Sequence, residues 1–142
     1  MSGTATGGRT TNGPVVLLRP KRHGDARGWF METWSEAWAA SSGITTRFVQ
    51  DNQSFSQAEG TVRGLHLQRP PHAQAKLVRC LRGAIMDYAV DVRRGSPTYG
   101  RWLAARLTAE GPEQLFVPAG FAHGFVPLTA TPAVSYTLPH TP

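Results

Sequence analysis

The chain has one cysteine, Cys80, in 142 residues. No internal disulfide is open to it, so a disulfide-stapled secreted scaffold is excluded and a cytoplasmic setting is expected. Long apolar runs are missing as well. No segment approaches the roughly 20 apolar residues of a membrane-spanning helix, and the Gly/Thr/Ser-rich start, Met1 to Gly13, has no apolar stretch of the kind a secretory signal carries. Acidic residues are few, nine against fifteen Lys and Arg, leaving a formal charge of +6. That excess raises the question of an anionic partner. The basic residues are scattered, however, from Arg19, Lys21, Arg22 and Arg27 through Arg63, Arg79 and Arg82 to Arg93 and Arg94. There is no basic run and no Arg-bearing helix with groove-reading periodicity, so neither nucleic acid nor membrane is expected as a partner. A small phosphorylated ligand needs only two or three of these side chains.

Helical patterns are scarce too. Fifteen glycines and eleven prolines punctuate short runs rich in Val, Leu, Ile, Phe and Tyr, which is the signature of an all-β sandwich or barrel. Strands are expected at Val15–Arg19, Trp29–Trp34, Arg47–Phe55, Thr61–Gln68, Lys76–Leu81, Ala84–Val92, Arg101–Leu107, Gln114–Val117, His123–Pro127 and Ala133–Thr137. One helix is expected over Ser35–Ser42, capped by Ser35 and stopped at Gly43. The length fits one domain, residues 14–142, behind a disordered lead-in at 1–13. In Ala84–Val92 one alternating face is wholly apolar (Ala84, Met86, Tyr88, Val90, Val92). The other holds Ile85, Asp87, Ala89 and Asp91, so it is expected as the wetter side, with Asp91 exposed or paired within a turn beside Arg93 and Arg94.

Two stretches carry chemistry. In the first, five residues separate Gly60 from His66, Gln68 follows, and six residues separate Lys76 from Gly83; the second is Pro118-x-Gly120-x-x-His123. They resemble the two signature motifs of the cupin barrels, whose metal-binding members hold a cation with His, His, Glu and His. Here Gln68 stands at the second His and Lys76 at the Glu. A protonated lysine has no lone pair and repels a cation, so no metal and no cofactor is expected. Imidazole titrates near neutrality and can remove a proton from carbon next to a carbonyl. The enolate formed needs a positive charge or donor beside its oxygen, which Lys76 can supply.

Taken together, Asp25–Glu32, Phe48–Ser54, Arg63–His66, Lys76–Arg79, Asp87–Pro97 and Pro118–Phe125 closely resemble the dTDP-4-dehydrorhamnose 3,5-epimerases, in order, from about Val15 to Tyr136. The resemblance implies a cupin-type jelly-roll barrel with an extended N-terminal arm. It implies an isomerase that epimerises C3, C5 or both of a dTDP-4-keto-6-deoxyhexose. Carried over by position, His66 is the base and Tyr136 the acid on the opposite ring face. Lys76 and His123 line the keto-sugar pocket, Arg63 and Arg27 contact the diphosphate, and Glu32, Gln50, Asp51 and Asn52 place the nucleotide and sugar. Such enzymes are homodimers whose N-terminal strands cross to the partner, so Arg27 and Glu32 serve the neighbour's site.

Spacing adds two expectations. Gln50 and Asn52 share a strand face. Arg63 and His66, three apart, serve one pocket only if Gly64 marks a bulge or twist. The family also continues beyond the position of Pro142 with an Asp that hydrogen-bonds the catalytic His, and the run Thr137–Pro142 departs from its pattern. Without that Asp the base is weakened unless another carboxylate, such as Asp87, supports His66. The alternatives are an impaired nucleotide-sugar-binding cupin, a 3-epimerase only, or a 3,4-ketoisomerase.

Overall fold

The structure is a computed structural model that describes residues 6–12, 14–57, 63–66 and 74–139, with backbone alone for 6–12 and 63–66. Among these residues run β1 (Thr6–Asn12), β2 (Val15–Pro20), β3 (Arg22–Asp25), β4 (Gly28–Met31), α1 (Glu36–Ser41), β5 (Gln50–Phe55), β6 (Arg63–His66), β7 (Lys76–Arg82), β8 (Ala84–Asp91), β9 (Trp102–Thr108), β10 (Gln114–Val117), β11 (Phe121–Pro127) and β12 (Ala133–Leu138). All pairings are antiparallel. One sheet has the order β1-β2-β10-β7-β12-β5, a second β6-β11-β8-β9, and β3-β4 stands apart as a hairpin. This is the jelly-roll barrel of the all-β class.

Alternation explains most of the packing. Val15, Val78, Cys80, Leu115, Val117 and Val134 of the larger sheet meet Ile85, Ala89, Ala105, Leu107, Phe121 and Phe125 of the smaller one in the main core. The larger sheet is covered on its other face as well. There Val16, Leu18, Leu77 and Phe116 pack against Trp38, Ala39 and Ile44 from α1 and the residues after it. Burial on both faces is why β2 reads as an unbroken apolar run rather than an alternating one. The helix starts as its sequence suggests: Ser35 Oγ accepts from the Ala37 amide, and Gly43 takes a left-handed φ of 85° just past its end.

Two expectations are corrected here. Thr6–Asn12, assigned to a disordered lead-in, forms β1 along the edge of β2. The faces of β8 are reversed: Ile85, Asp87, Ala89 and Asp91 are the buried set, while Met86, Tyr88 and Val90 are partly exposed on the outside of the barrel. The inward carboxylates are tolerated because each has its own partners. Asp91 accepts from the Arg93 guanidinium and amide and from the hydroxyls of Ser96 and Thr98, closing the loop between β8 and β9. At Gly120 (φ 90°) a Cβ would run into the Arg93 side chain that makes this network.

The Arg93 guanidinium and the two hydroxyls hold the Asp91 carboxyl far below the usual carboxylate range. Its stabilisation is therefore present above the unfolded-state pKa of about 4 and drains as pH falls below it. Asp91→Ala is expected to lower the unfolding free energy by about 2–3 kcal/mol at neutral pH, because the Arg93 guanidinium and amide and the Ser96 and Thr98 hydroxyls lose their acceptor. Urea unfolding of both proteins checks this, and the gap should narrow toward pH 2.

Candidate active site

Lys76 opens β7 on the inner face of the larger sheet, in line with Val78 and Cys80. Tyr136 on β12 lies opposite Val78 and one diagonal step from Lys76, also facing inward. Asn52 on β5 lies directly opposite Tyr136 and takes a 3.0 Å hydrogen bond from Gln50 Nε2, so this pair stands together at the open edge of the same face. From the smaller sheet His123 projects inward at 3% exposure, its ring edge-on to that of Tyr136 with centroids 6.0 Å apart. Lys76, His123 and Tyr136 thus come together from both walls of the barrel.

The residue that organises them is Asp87, fully buried on β8, whose Oδ1 lies 2.6 Å from His123 Nε2. Its other oxygen, Oδ2, is buried without a hydrogen-bond partner among the described residues. Burial pushes the Asp87 carboxyl up, while the charge and hydrogen bond of His123 and the charge of Lys76 pull it back. Burial also lowers the Lys76 ammonium, and Asp87 opposes that shift. The three groups form one coupled electrostatic unit.

His66 occupies the register position directly opposite His123 on β6. Three residues of β6, Arg63 to His66, advance against two of β11, Phe125 to His123, so the ladder carries an irregularity across Gly64. The side chains of Arg63 and His66 lie outside the described residues. The carboxylate suggested as a substitute partner for His66 is engaged elsewhere: Asp87 serves His123.

Three further site expectations do not join the pocket within this chain. Asp51 points to the opposite face of the sheet from Asn52, where Oδ1 accepts from Ser135 Oγ (2.9 Å) and Thr137 Oγ1 (3.1 Å), tying β5 to β12. Arg27 sits at the tip of the β3-β4 hairpin, exposed and paired with Asp25 at 2.7 Å. Glu32 follows that hairpin and is exposed. In the other direction, pattern reading named Asp87 only as a stand-in partner for His66 and missed its pairing with His123. The signal available was a carboxylate in the middle of a strand, a place where such residues are depleted.

A cupin-type barrel whose inner walls join a lysine, a histidine–carboxylate pair and a tyrosine is a barrel equipped for proton transfer. Comparison with known proteins narrows the class. The family model described as dTDP-4-dehydrorhamnose 3,5-epimerase matches residues 10–141, and the chain belongs to that family. It is 56% identical over 122 residues to the dTDP-4-dehydrorhamnose 3,5-epimerase of Sinorhizobium fredii, an alignment covering 86% of this chain and 63% of that protein. The chain therefore spans a little under two thirds of the length of this curated relative. The epimerase from Bacillus anthracis str. Ames, solved with TDP and PPi bound, superposes with a TM-score of 0.91 at 43% identity, covering 94% of this chain and 77% of that one. A dTDP-6-deoxy-D-glucose-3,5-epimerase from Legionella pneumophila, solved with dTDP-4-keto-L-rhamnose, gives 0.86 at 42% identity, covering 94% and 70%.

The face assignment of β5 is testable. Asp51→Ala is expected to lower stability by about 1 kcal/mol, because the Ser135 and Thr137 hydroxyls lose their acceptor. Asn52→Ala, on the other face, should change stability by less than half of that. Chemical denaturation of each variant decides it.

Proposed function

We propose that this chain epimerises a dTDP-linked 4-keto-6-deoxyhexose at C3, C5 or both. The observation that carries the reading is the placement of Lys76, His123 and Tyr136 on facing inner walls of the barrel, with His66 at the strand position opposite His123. The ligands in the related structures, TDP in one and dTDP-4-keto-L-rhamnose in another, supply the substrate class.

In this reading His66 removes the proton next to the C4 ketone. The negative charge that develops on the ketone oxygen is met by the Lys76 ammonium, held with the His123 ring in a low-dielectric barrel. Tyr136 returns a proton from the opposite face of the ring, and the configuration at that carbon inverts. Gln50 and Asn52 at the barrel mouth bind the sugar or base, and Arg63 contacts the diphosphate through forked donors.

The same proposal includes a homodimer in the cytoplasm. Support for the dimer lies in the β3-β4 hairpin, which carries exposed Trp29 and Phe30 beside Arg27, and in the free edge of β5 next to Gln50 and Asn52. A partner's hairpin laid along that edge brings Arg27 and Glu32 to a neighbouring pocket. Support for the compartment is the single buried, unpaired thiol of Cys80. Among the described residues no helix is long and apolar enough to cross a membrane.

Incubation with dTDP-4-keto-6-deoxyglucose in D2O is expected to place deuterium at C3, C5 or both; an absence of label at both carbons rejects the proposal. His66→Asn should slow exchange by about 10²–10⁴-fold, the span of a lost general base. The pH profile should fall on its alkaline side before the free-lysine range of about 10, because burial lowers the Lys76 ammonium and its charge is lost as pH rises through that lowered value.

A further inference from the structure

We infer that Asp87 is a positioning residue for the proton transfer proposed above: it fixes the His123 ring through Nε2 and sets a buried carboxylate on the wall of the barrel that faces Lys76. The inference rests on the epimerase reading of the pocket. Its ground is geometric. Asp87 is wholly shielded from solvent, and Oδ1 lies 2.6 Å from His123 Nε2, while Oδ2 is buried with no hydrogen-bond partner among the described residues. A carboxylate placed merely to complete a hydrogen-bond network would have both oxygens engaged, as Asp91 does on the same strand.

The consequence runs through three elements. With Nε2 engaged, the orientation of the His123 ring is set by β8, and the same ring stands edge-on to Tyr136 on β12 at 81°. Asp87 thereby governs the placement of the electrophile and, at one remove, of the proposed acid. Its charge also reaches Lys76 on β7. The other titratable groups around this unit are Cys80, further along β7 and also under the influence of Asp87, and His66 at the register position opposite His123. Removal of the Asp87 anion therefore acts on the His123 contact and on Lys76 together.

Asp87→Asn keeps the shape and an oxygen acceptor for His123 Nε2–H but removes the charge. In deuterium-exchange kinetics the variant is expected to lose about 10²-fold in kcat, the scale of a lost preorganised electrostatic contact, with KM changed less than threefold. The alkaline limb of its pH profile should move to lower pH, because Lys76 no longer has the counter-charge that resists loss of its proton. Independently of turnover, the Lys76 Cε–H resonance, assigned with Lys76→Ala, should titrate at lower pH in Asp87→Asn than in the parent. An unmoved Lys76 titration overturns the inference. If the parent exchanges no deuterium, the epimerase reading falls, and the Lys76 titration still decides the electrostatic claim. If Asp87→Asn does not fold, ¹⁵N spectra of the parent decide it: a proton on His123 Nε2 is expected, whereas a bare Nε2 means that Asp87 is a neutral donor, and the inference is overturned.

Discussion

The bond between Asp87 and His123 is the interaction on which the interior of this barrel depends. A carboxylate removed from water is costly unless an opposite charge or a donor stands beside it. Here the donor comes from the neighbouring strand and the second charge from the facing sheet. Each of the three polar groups is tolerable inside only because the other two are there. The apolar core fills the rest of the barrel around them with Ile85, Ala89, Phe125 and Val78. Stability and chemistry therefore draw on the same few side chains, and a change to one alters the ionisation of the others.

The lysine at the end of β7 gives this arrangement its direction. In a metal-binding cupin that position holds an acidic ligand for a cation. Here the cation is the side chain itself, and a buried carboxylate one wall away takes the part of its counter-charge. The barrel keeps a positive centre facing the pocket, tethered covalently, and one that can be tuned by burial.

Much of the fold was legible in the sequence. Among the described residues, turn residues and β-rich runs marked ten of twelve strands, and Ser35 with Gly43 bounded the one helix. What escaped had physical causes. β1 has no apolar pattern, and β3, Arg22–Asp25, is a polar strand of a hairpin that buries almost nothing, so hydrophobic periodicity was silent on both. The faces of β8 were inverted because apolarity alone chose the core side, whereas the decisive fact was tertiary: a histidine two residues out of register on β11 and a lysine across the barrel. For the pocket, motif spacing found Lys76 and His123, and alternation separated Gln50 and Asn52 from Asp51 once the pairing of β5 with β12 was known. Asp87 was named from the sequence as a carboxylate for His66, and its partner, His123, could be recognised only with the neighbouring strand in place.

The irregular step in β6 has a wider meaning. A strand repeats every two residues, so one surplus residue changes the parity of everything before it relative to everything after. Across Gly64 the sequence thus counts in odd steps where the rest of the barrel counts in even ones. Inserting or deleting a single residue in such a stretch does more than shift it along its neighbour: it reassigns which positions belong to the interior. In this barrel that small miscount changes the parity of the backbone register between Arg63 and His66.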